Sequence, residues 1–194
     1  MKLYSTIVAD PPWRYTGKGP VGSRAPGGYN LDGTLSVQVA VPYPTMSLDE
    51  LALLQVPAAE EAHLYLWFTN AFGAEAHALA RHWGFEPKTI ITWAKVKKDK
   101  FEPSMKTGYY FRGASEHILF CVRGSLRTTQ DPPRPTVVFH PREPHSVKPQ
   151  VFFDLAAEQS PGPYLEMFAR RKRPGWDAWG NEVESDVVIR SRAA

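Results

Sequence analysis

The stretch Asp10-Pro11-Pro12-Trp13 places a carboxylate, two proline carbonyls and an indole ring side by side. It follows an apolar run, residues 2–9, whose composition predicts a buried strand. Prolines lack an N–H group, so we expect their carbonyls to have no competing donor nearby. The carboxylate and a proline carbonyl can then accept both hydrogens of an NH₂ group, beside the flat face of Trp13. These residues predict a site for a purine or pyrimidine with an exocyclic amine. A capping aspartate before a proline turn, with a core tryptophan, is the alternative.

The segments that must position this motif alternate between strand and helix patterns. Runs rich in β-forming residues predict strands at 2–9, 63–68, 89–96, 116–124, 163–169 and 175–182. Helix patterns comprise a capping box at Ser47 and Glu50, residues 71–83 with Gly84 as C-cap glycine, and residues 147–155 with Pro149 in the first turn. This alternation predicts one α/β domain over residues 1–194, with a mostly parallel central sheet and helices on both faces.

Three long loops adjoin the predicted strand ends, at residues 17–34, 97–113 and 125–145. Long loops in a compact domain are usually functional or disordered. Open α/β sheets bind ligands beyond their strand ends, so these loops are candidates for substrate contact, with surface padding as the alternative.

Composition narrows the class of protein. The chain has 194 residues, of which 43% are hydrophobic, and a net charge of +3. This favours a globular fold and permits a polyanionic partner without requiring one. The single cysteine, Cys121, has no disulfide partner and suits a reducing cytoplasm. We find no signal peptide and no apolar run long enough to span a membrane.

The Asp10-Pro-Pro-Trp13 motif resembles the fourth motif of the amino-methyltransferases, and its tryptophan resembles that of the adenine N6 methyltransferases of the MT-A70 family. Three further segments are similar to that family in the same order: a Thr-Gly-aromatic turn and a Glu-His pair in 106–124, a Lys-Pro helix in 145–154, and the closing stretch 165–182. The resemblance therefore extends from residue 8 to residue 182.

The resemblance implies a Rossmann-like fold with permuted motif order and S-adenosylmethionine as the cofactor. It implies that Asp10 and the Pro11 carbonyl accept hydrogen bonds from the target amine, while Trp13 stacks on the base, and that Lys148 holds the methionine carboxylate. The implied catalytic residues are Asp10, Pro11, Pro12 and Trp13; the implied cofactor-binding residues are Ala9, Asp10, Lys148, Phe168, Arg170, Asn181 and Glu182; and the implied substrate-binding residues are Trp13, Tyr15, Lys106, Tyr109 and Glu116.

Two points of the implied site stay open. Eukaryotic members hold the cofactor's adenine with an Asp-containing segment upstream of the catalytic motif, whereas only nine residues precede Asp10 here. Either the C-terminal stretch 185–190 supplies an edge strand in its place, or the adenine is held differently. We expect no metal site, because His140, His145 and Glu143 have no second ligand pair.

The basic runs 95–100 and 170–173 are candidates for phosphate contacts beside an adenine site, with solvated faces as the alternative. The expected activity is N6-adenine methylation of nucleic acid, with DNA favoured over RNA and with a homo- or hetero-oligomer possible. A non-catalytic nucleic-acid-binding adaptor and a methyltransferase of a small-molecule amine are the alternatives.

Overall fold

A computed structural model describes residues 2–14, 44–105, 111–143 and 147–192. Within them the chain forms seven strands and three α-helices. The strands are β1 (Tyr4–Ala9), β2 (Ala58–Phe68), β3 (Glu86–Val96), β4 (Ser115–Arg123), β5 (Val137–Pro141), β6 (Tyr164–Met167) and β7 (Trp176–Trp179). The helices are α1 (Leu48–Ala52), α2 (Gly73–His82), which follows a 3₁₀ turn at Asn70–Phe72, and α3 (Gln150–Gln159).

The strands form one sheet in the order β5-β3-β4-β2-β1-β6-β7. Only β4 is antiparallel to its neighbours, so the sheet is mostly parallel, as the sequence predicts. The chain leaves β1 towards β2 on one side and later returns to β6 on the other. The direction in which the chain adds strands therefore reverses at β1. In an open α/β sheet a crevice forms beyond the carboxyl end of the strand where this reversal occurs. Asp10 is the first residue past that end.

Both faces of the sheet are covered, which confirms the predicted layers. Alternate residues of β2 point to opposite faces: Leu64 and Leu66 pack with α1 and α2, while Tyr65 and Trp67 pack with α3. A strand buried on both faces is apolar at successive positions, which explains the continuous hydrophobic run that marks β2 in the sequence.

The local signals at the start of α1 and the end of α2 are confirmed, whereas α3 begins at Gln150, directly after Pro149, and not at residue 147. The Ser47 hydroxyl accepts a hydrogen bond from the Glu50 amide, and the Glu50 carboxylate accepts one from the Ser47 amide, which completes the capping box of α1. Gly84 follows α2 with φ of +80°, a conformation that favours glycine. Within the described ranges no helix is long and apolar enough to cross a membrane.

One expectation about the irregular regions is wrong, and one of two alternatives for the C-terminal stretch does not hold. The predicted loop 125–145 contains β5, which pairs with β3 in parallel, so its order comes from a distant strand and not from its own proline-rich sequence. The stretch 185–190 does not join the sheet as an edge strand. The chain there pairs with the segment after α1, because the Gln55 amide donates to the Arg190 carbonyl and the Arg192 amide to the Leu53 carbonyl.

The centre of the sheet should dominate stability. Leu66 is fully buried in β2 between Ala9 of β1 and Leu119 of β4, whereas Leu3 is 50% exposed. We expect Leu66→Ala to lower the free energy of unfolding by about 2–5 kcal/mol through lost contacts and a residual cavity. The matched variant Leu3→Ala should change it by less than about 0.5 kcal/mol. Urea titrations of both variants measure the difference, and equal effects would contradict the placement of the core.

Candidate active site

The Asp-Pro-Pro-Trp segment is fixed by its own backbone and by residue 46. The Trp13 amide donates to the Pro11 carbonyl at 2.8 Å, and the Met46 amide donates to the Pro12 carbonyl at 2.8 Å. The expectation that both proline carbonyls lack a competing donor is therefore wrong. A carbonyl oxygen has two lone pairs, so the Pro11 carbonyl keeps one for a further donor.

Trp13 lies in the core beside the crevice. It is 8% exposed, its indole N–H donates to the Trp67 carbonyl at 3.0 Å, and its ring stacks on Phe72 with centroids 5.3 Å apart. This placement matches the alternative interpretation, a core tryptophan, more closely than a freely presented stacking face. Its ring anchors the turn that presents Asp10.

Four charged side chains form an alternating chain at the site. The Lys148 ammonium lies 2.9 Å from Asp10 Oδ2 and 3.2 Å from Glu116 Oε2, and the ammonium of Lys95 bonds to Glu116 Oε1. Lys148 also lies over the ring of Trp67, 4.9 Å from its centroid. An ammonium has three hydrogens, so Lys148 keeps one donor beyond its two carboxylate partners. Among the residues that the structure describes, the contact of Asp10 with Lys148 is through Oδ2, and none donates to Oδ1.

Burial and neighbouring charges have opposite effects on the pKa values of these charged side chains. Burial disfavours the ammonium of Lys148, but the carboxylates of Asp10 and Glu116 outweigh it and raise the Lys148 pKa. Burial likewise disfavours the Glu116 carboxylate, but Lys148 and Lys95 outweigh it and lower the Glu116 pKa. For Lys95 burial is the larger effect, so its pKa is lowered despite its bond to Glu116. The charged forms of Lys148 and Glu116 are therefore mutually dependent.

A cavity of about 550 Å³ opens beyond the carboxyl ends of β1, β6 and β7. It brings together most of the cofactor residues that the sequence predicts: Asp10, Phe168, Arg170, Asn181 and Glu182. Arg170 Nη1 lies 3.1 Å from Glu182 Oε1 across the cavity wall. Ala9 lies apart from these side chains, with its methyl group fully buried in the core.

Two backbone features that sequence inspection missed shape the cavity. A Cβ added to Gly180 would lie 2.2 Å from the Ala169 carbonyl oxygen, so the two loops approach as closely as they do only because residue 180 is glycine. Phe168 adopts φ of +62°, a strained conformation for a non-glycine residue, and its ring packs edge-on against Trp179. The only sequence signal was a glycine inside the predicted strand 175–182, at the point where the observed β7 ends.

The chemistry of the cavity fits S-adenosylmethionine. Carboxylate and amide groups at Glu182 and Asn181 suit ribose hydroxyls, and the rings of Phe168 and Trp179 suit a purine face. Lys148, also a predicted cofactor residue, is not among the residues that line the cavity; it lies behind Asp10, and its remaining donor suits a carboxylate. The close contact of Gly180 with the Ala169 backbone fixes the distance between the two loops that carry these side chains.

The remaining predicted residues separate into two groups. Tyr15, Lys106, Tyr109 and His145 lie outside the described residues. Glu116 belongs to the charged chain, one lysine away from Asp10, and its side chain is 21% exposed. Within the described ranges no three His, Cys, Asp or Glu side chains are grouped as metal ligands.

The interpretation of both basic runs as phosphate-binding surfaces is wrong in part. Lys95 is 7% exposed and bonded to Glu116, and Arg173 is 7% exposed and lies 2.8 Å from Glu166. These two side chains stabilise the interior and are not accessible to a nucleic acid. Charge runs on the sequence do not reveal which of their members face inwards.

The charged chain predicts a pH dependence of stability. The folded-state pKa of Glu116 is lowered, so its stabilising effect is complete above its ordinary value, about 4.3, and is lost as the pH falls through the folded-state pKa. At neutral pH Glu116→Gln should lower the free energy of unfolding by about 1–3 kcal/mol, because two lysines lose a charged partner. The difference in free energy of unfolding between wild type and Glu116→Gln should become smaller below about pH 4.

Urea titrations of wild type and Glu116→Gln over the acidic range test this. Glu158→Gln is the matched control, because it removes an exposed ion pair with Arg134 that should be worth less than about 1 kcal/mol. A difference between wild type and Glu116→Gln that stays constant through the acidic range would contradict the assignment.

Gly180→Ala should weaken cofactor binding by about tenfold or more, because the added methyl must push the 168–170 and 180–182 loops apart. Gly113→Ala is the matched control, since a Cβ there meets no atom within 4 Å. Calorimetric titration with S-adenosylmethionine measures both, and melting curves exclude unfolding as the cause. An unchanged affinity in folded Gly180→Ala would show that the loop contact does not shape the cofactor site.

Comparisons with known proteins agree with this geometry. A family model described as MT-A70 matches residues 4–182. The type II methyltransferase M.MunI from Mycoplasma sp is 32% identical over 198 residues, covering 96% of this chain and 81% of that protein. The putative N(6)-adenosine-methyltransferase MT-A70-like protein of Medicago truncatula is 26% identical, covering 96% of this chain and 27% of its own length.

The human N(6)-adenosine-methyltransferase catalytic subunit METTL3 is 24% identical, covering 96% of this chain and 30% of its own length. The chain thus spans most of M.MunI but less than a third of the plant and human relatives. The family match runs from the first strand to the residues that follow β7, and so includes both the Asp-Pro-Pro-Trp segment and the cavity. The chain therefore belongs to the MT-A70 family, the S-adenosylmethionine-dependent methyltransferases of adenine N6.

Proposed function

We propose that this chain methylates N6 of adenine in DNA, on a base presented outside a duplex, with Asp10 as the residue that binds the target amine. The observation that carries the proposal is the position of Asp10. Its carboxylate lines the cofactor cavity and is also bonded to Lys148, so it stands between the cofactor site and the charged chain.

Asp10 and Pro11 supply the acceptors for the target amine. Asp10 Oδ1 accepts one N–H, and the free lone pair of the Pro11 carbonyl accepts the other. Adenine's amino lone pair is delocalised into the ring, and two acceptors on its hydrogens favour a more pyramidal nitrogen with the lone pair directed into the cavity. Positioning and charge stabilisation of this kind supply most of the catalysis in such a site.

Lys148 fixes the geometry of this arrangement. It holds Asp10 Oδ2 from one side, while Glu116 holds the ammonium from the other. S-adenosylmethionine, when bound, supplies an electrophilic methyl group on a positively charged sulfur. The remaining donor of Lys148 and the Arg170–Glu182 pair are the groups of this chain that can orient its polar ends.

The relatives support DNA as the substrate. The type II methyltransferase M.MunI shares more identity with this chain than the N(6)-adenosine-methyltransferase catalytic subunit METTL3 does, and the chain covers most of its length. A base in a duplex cannot reach a cavity at a sheet edge without leaving the stack, which favours unpaired or extruded adenine.

Asp10→Asn should reduce methyl transfer by about 10²-fold or more, because it exchanges a charged acceptor for a neutral amide of the same shape. Labelled S-adenosylmethionine is offered with single-stranded DNA, duplex DNA and RNA, and digested nucleosides are resolved by mass spectrometry. Asp154→Asn, an exposed acid of α3, is the matched control and should retain full activity. N6-methyladenine made at the wild-type rate by Asp10→Asn would overturn the assigned role.

Free adenosine in the same assay separates the small-amine alternative. If free adenosine were methylated as fast as every oligonucleotide, the substrate would be a small-molecule amine and not a nucleic acid. The adaptor alternative is disfavoured, because Asp10, Lys148 and the cavity residues form a connected site.

A further inference from the structure

A second cavity, of about 400 Å³, opens at the same edge of the sheet as the first. It lies beyond the carboxyl ends of β3 and β5 and beside the start of β4. Its walls include three phenylalanine rings, from Phe101, Phe111 and Phe139. None of these residues takes part in the site proposed above.

These rings face solvent to an unusual degree. Phe111 is 92% exposed, Phe101 76% and Phe139 54%, and the rings of Phe101 and Phe139 lie 4.7 Å apart. Phenylalanine is normally buried, and a contiguous group of exposed aromatic rings around a cavity marks a binding surface.

The surroundings of this aromatic cavity are basic. Apart from the buried Lys95, which is paired with Glu116, residues 94–105, 111–115 and 137–143 contain five lysines and arginines against three acids. Lys98, Lys100 and Arg112 form no ion pair with any residue that the structure describes. Arg112 lines the cavity itself. Aromatic faces next to unpaired cations are the combination that binds single-stranded nucleic acid, through base stacking and phosphate neutralisation.

The aromatic cavity is also connected to the proposed target site. Lys95 forms part of its wall, and the charged chain runs from Lys95 through Glu116 and Lys148 to Asp10. Three strand spacings separate β3 from β1, or about 14 Å. A strand whose adenine reaches Asp10 would therefore carry neighbouring nucleotides across this edge.

We propose that the aromatic cavity binds an unpaired nucleobase that flanks the target adenine, by stacking on Phe111 and Phe139, with Arg112 contacting the adjacent phosphate. The proposal rests on the proposed function and deepens it, because it assigns a single-stranded or locally opened polynucleotide as the substrate. The positive surroundings favour a polyanion over an apolar protein segment.

The test uses the full chain and a fluorescein-labelled single-stranded oligodeoxynucleotide that contains one adenine. Phe111→Ala and Phe139→Ala should each raise its Kd about tenfold, as expected for the loss of one base stack. The KM for methyl transfer should rise by the same factor with kcat unchanged, since the site is remote from the reacting nitrogen. Phe111→Tyr should retain wild-type affinity because it keeps the ring face. Leu3→Ala, an exposed residue at the opposite end of β1, should have no effect.

Oligonucleotides with a single abasic position on either side of the adenine locate the contact. One position should weaken wild-type binding about tenfold, and the same abasic oligonucleotide should bind Phe111→Ala no worse than the intact one does. The subsite would be overturned if the losses in affinity from Phe111→Ala and from an abasic nucleotide were additive at every abasic position. It would also be overturned if both alanine variants bound the intact oligonucleotide as wild type does.

Other outcomes also decide the question. Alanine variants that bind the oligonucleotide normally but lose self-association in sedimentation would assign the surface to a second copy of the chain and overturn the subsite. Normal methylation by wild type with no phenylalanine dependence would refute the subsite alone. Absence of both binding and methylation of any nucleic acid by wild type would refute the proposed function together with it.

Discussion

The ammonium of Lys148, held between the carboxylates of Asp10 and Glu116, is the interaction on which the site depends. Its side chain is only 13% exposed, so the charge would be costly without both partners. The three groups come from segments far apart in sequence: the end of β1, the start of β4 and the turn before α3. Any change that separates these elements leaves a buried charge without its partner, so the sheet and the site are stabilised together.

The order of the strands explains why these segments meet. The chain builds β2, β4, β3 and β5 on one side of β1 and then crosses back, through α3, to β6 on the other. Lys148 lies on that return crossing, and β4 is antiparallel, so its first residues lie at the edge where the parallel strands end. Glu116 can therefore face Asp10 although it begins a strand and Asp10 follows one.

Much of this fold could be predicted from local patterns, and the exceptions share a physical cause. Neighbouring residues in the sequence determine three of these features: the strand before Asp10, the capping box at Ser47 and the glycine after α2. In contrast, β5 is ordered by pairing with β3, and the Pro12 carbonyl receives its donor from Met46. Sequence inspection identified most of the residues at the cavity, but not which members of a basic run are buried, because burial depends on long-range packing.

The buried position of Trp13 has a consequence for how a base is held. With its indole N–H bonded to Trp67 and one face against Phe72, its ring contributes mainly to the rigidity of the turn. Under the proposed function, the polar atoms of Asp10 and Pro11 position the amine, and most of the aromatic surface for stacking must come from other residues. The exposed phenylalanines at the β3 and β5 ends provide such surface on the same edge. In the proposed arrangement, a rigid acceptor pair would act on one nucleotide and the more exposed rings would bind its neighbour.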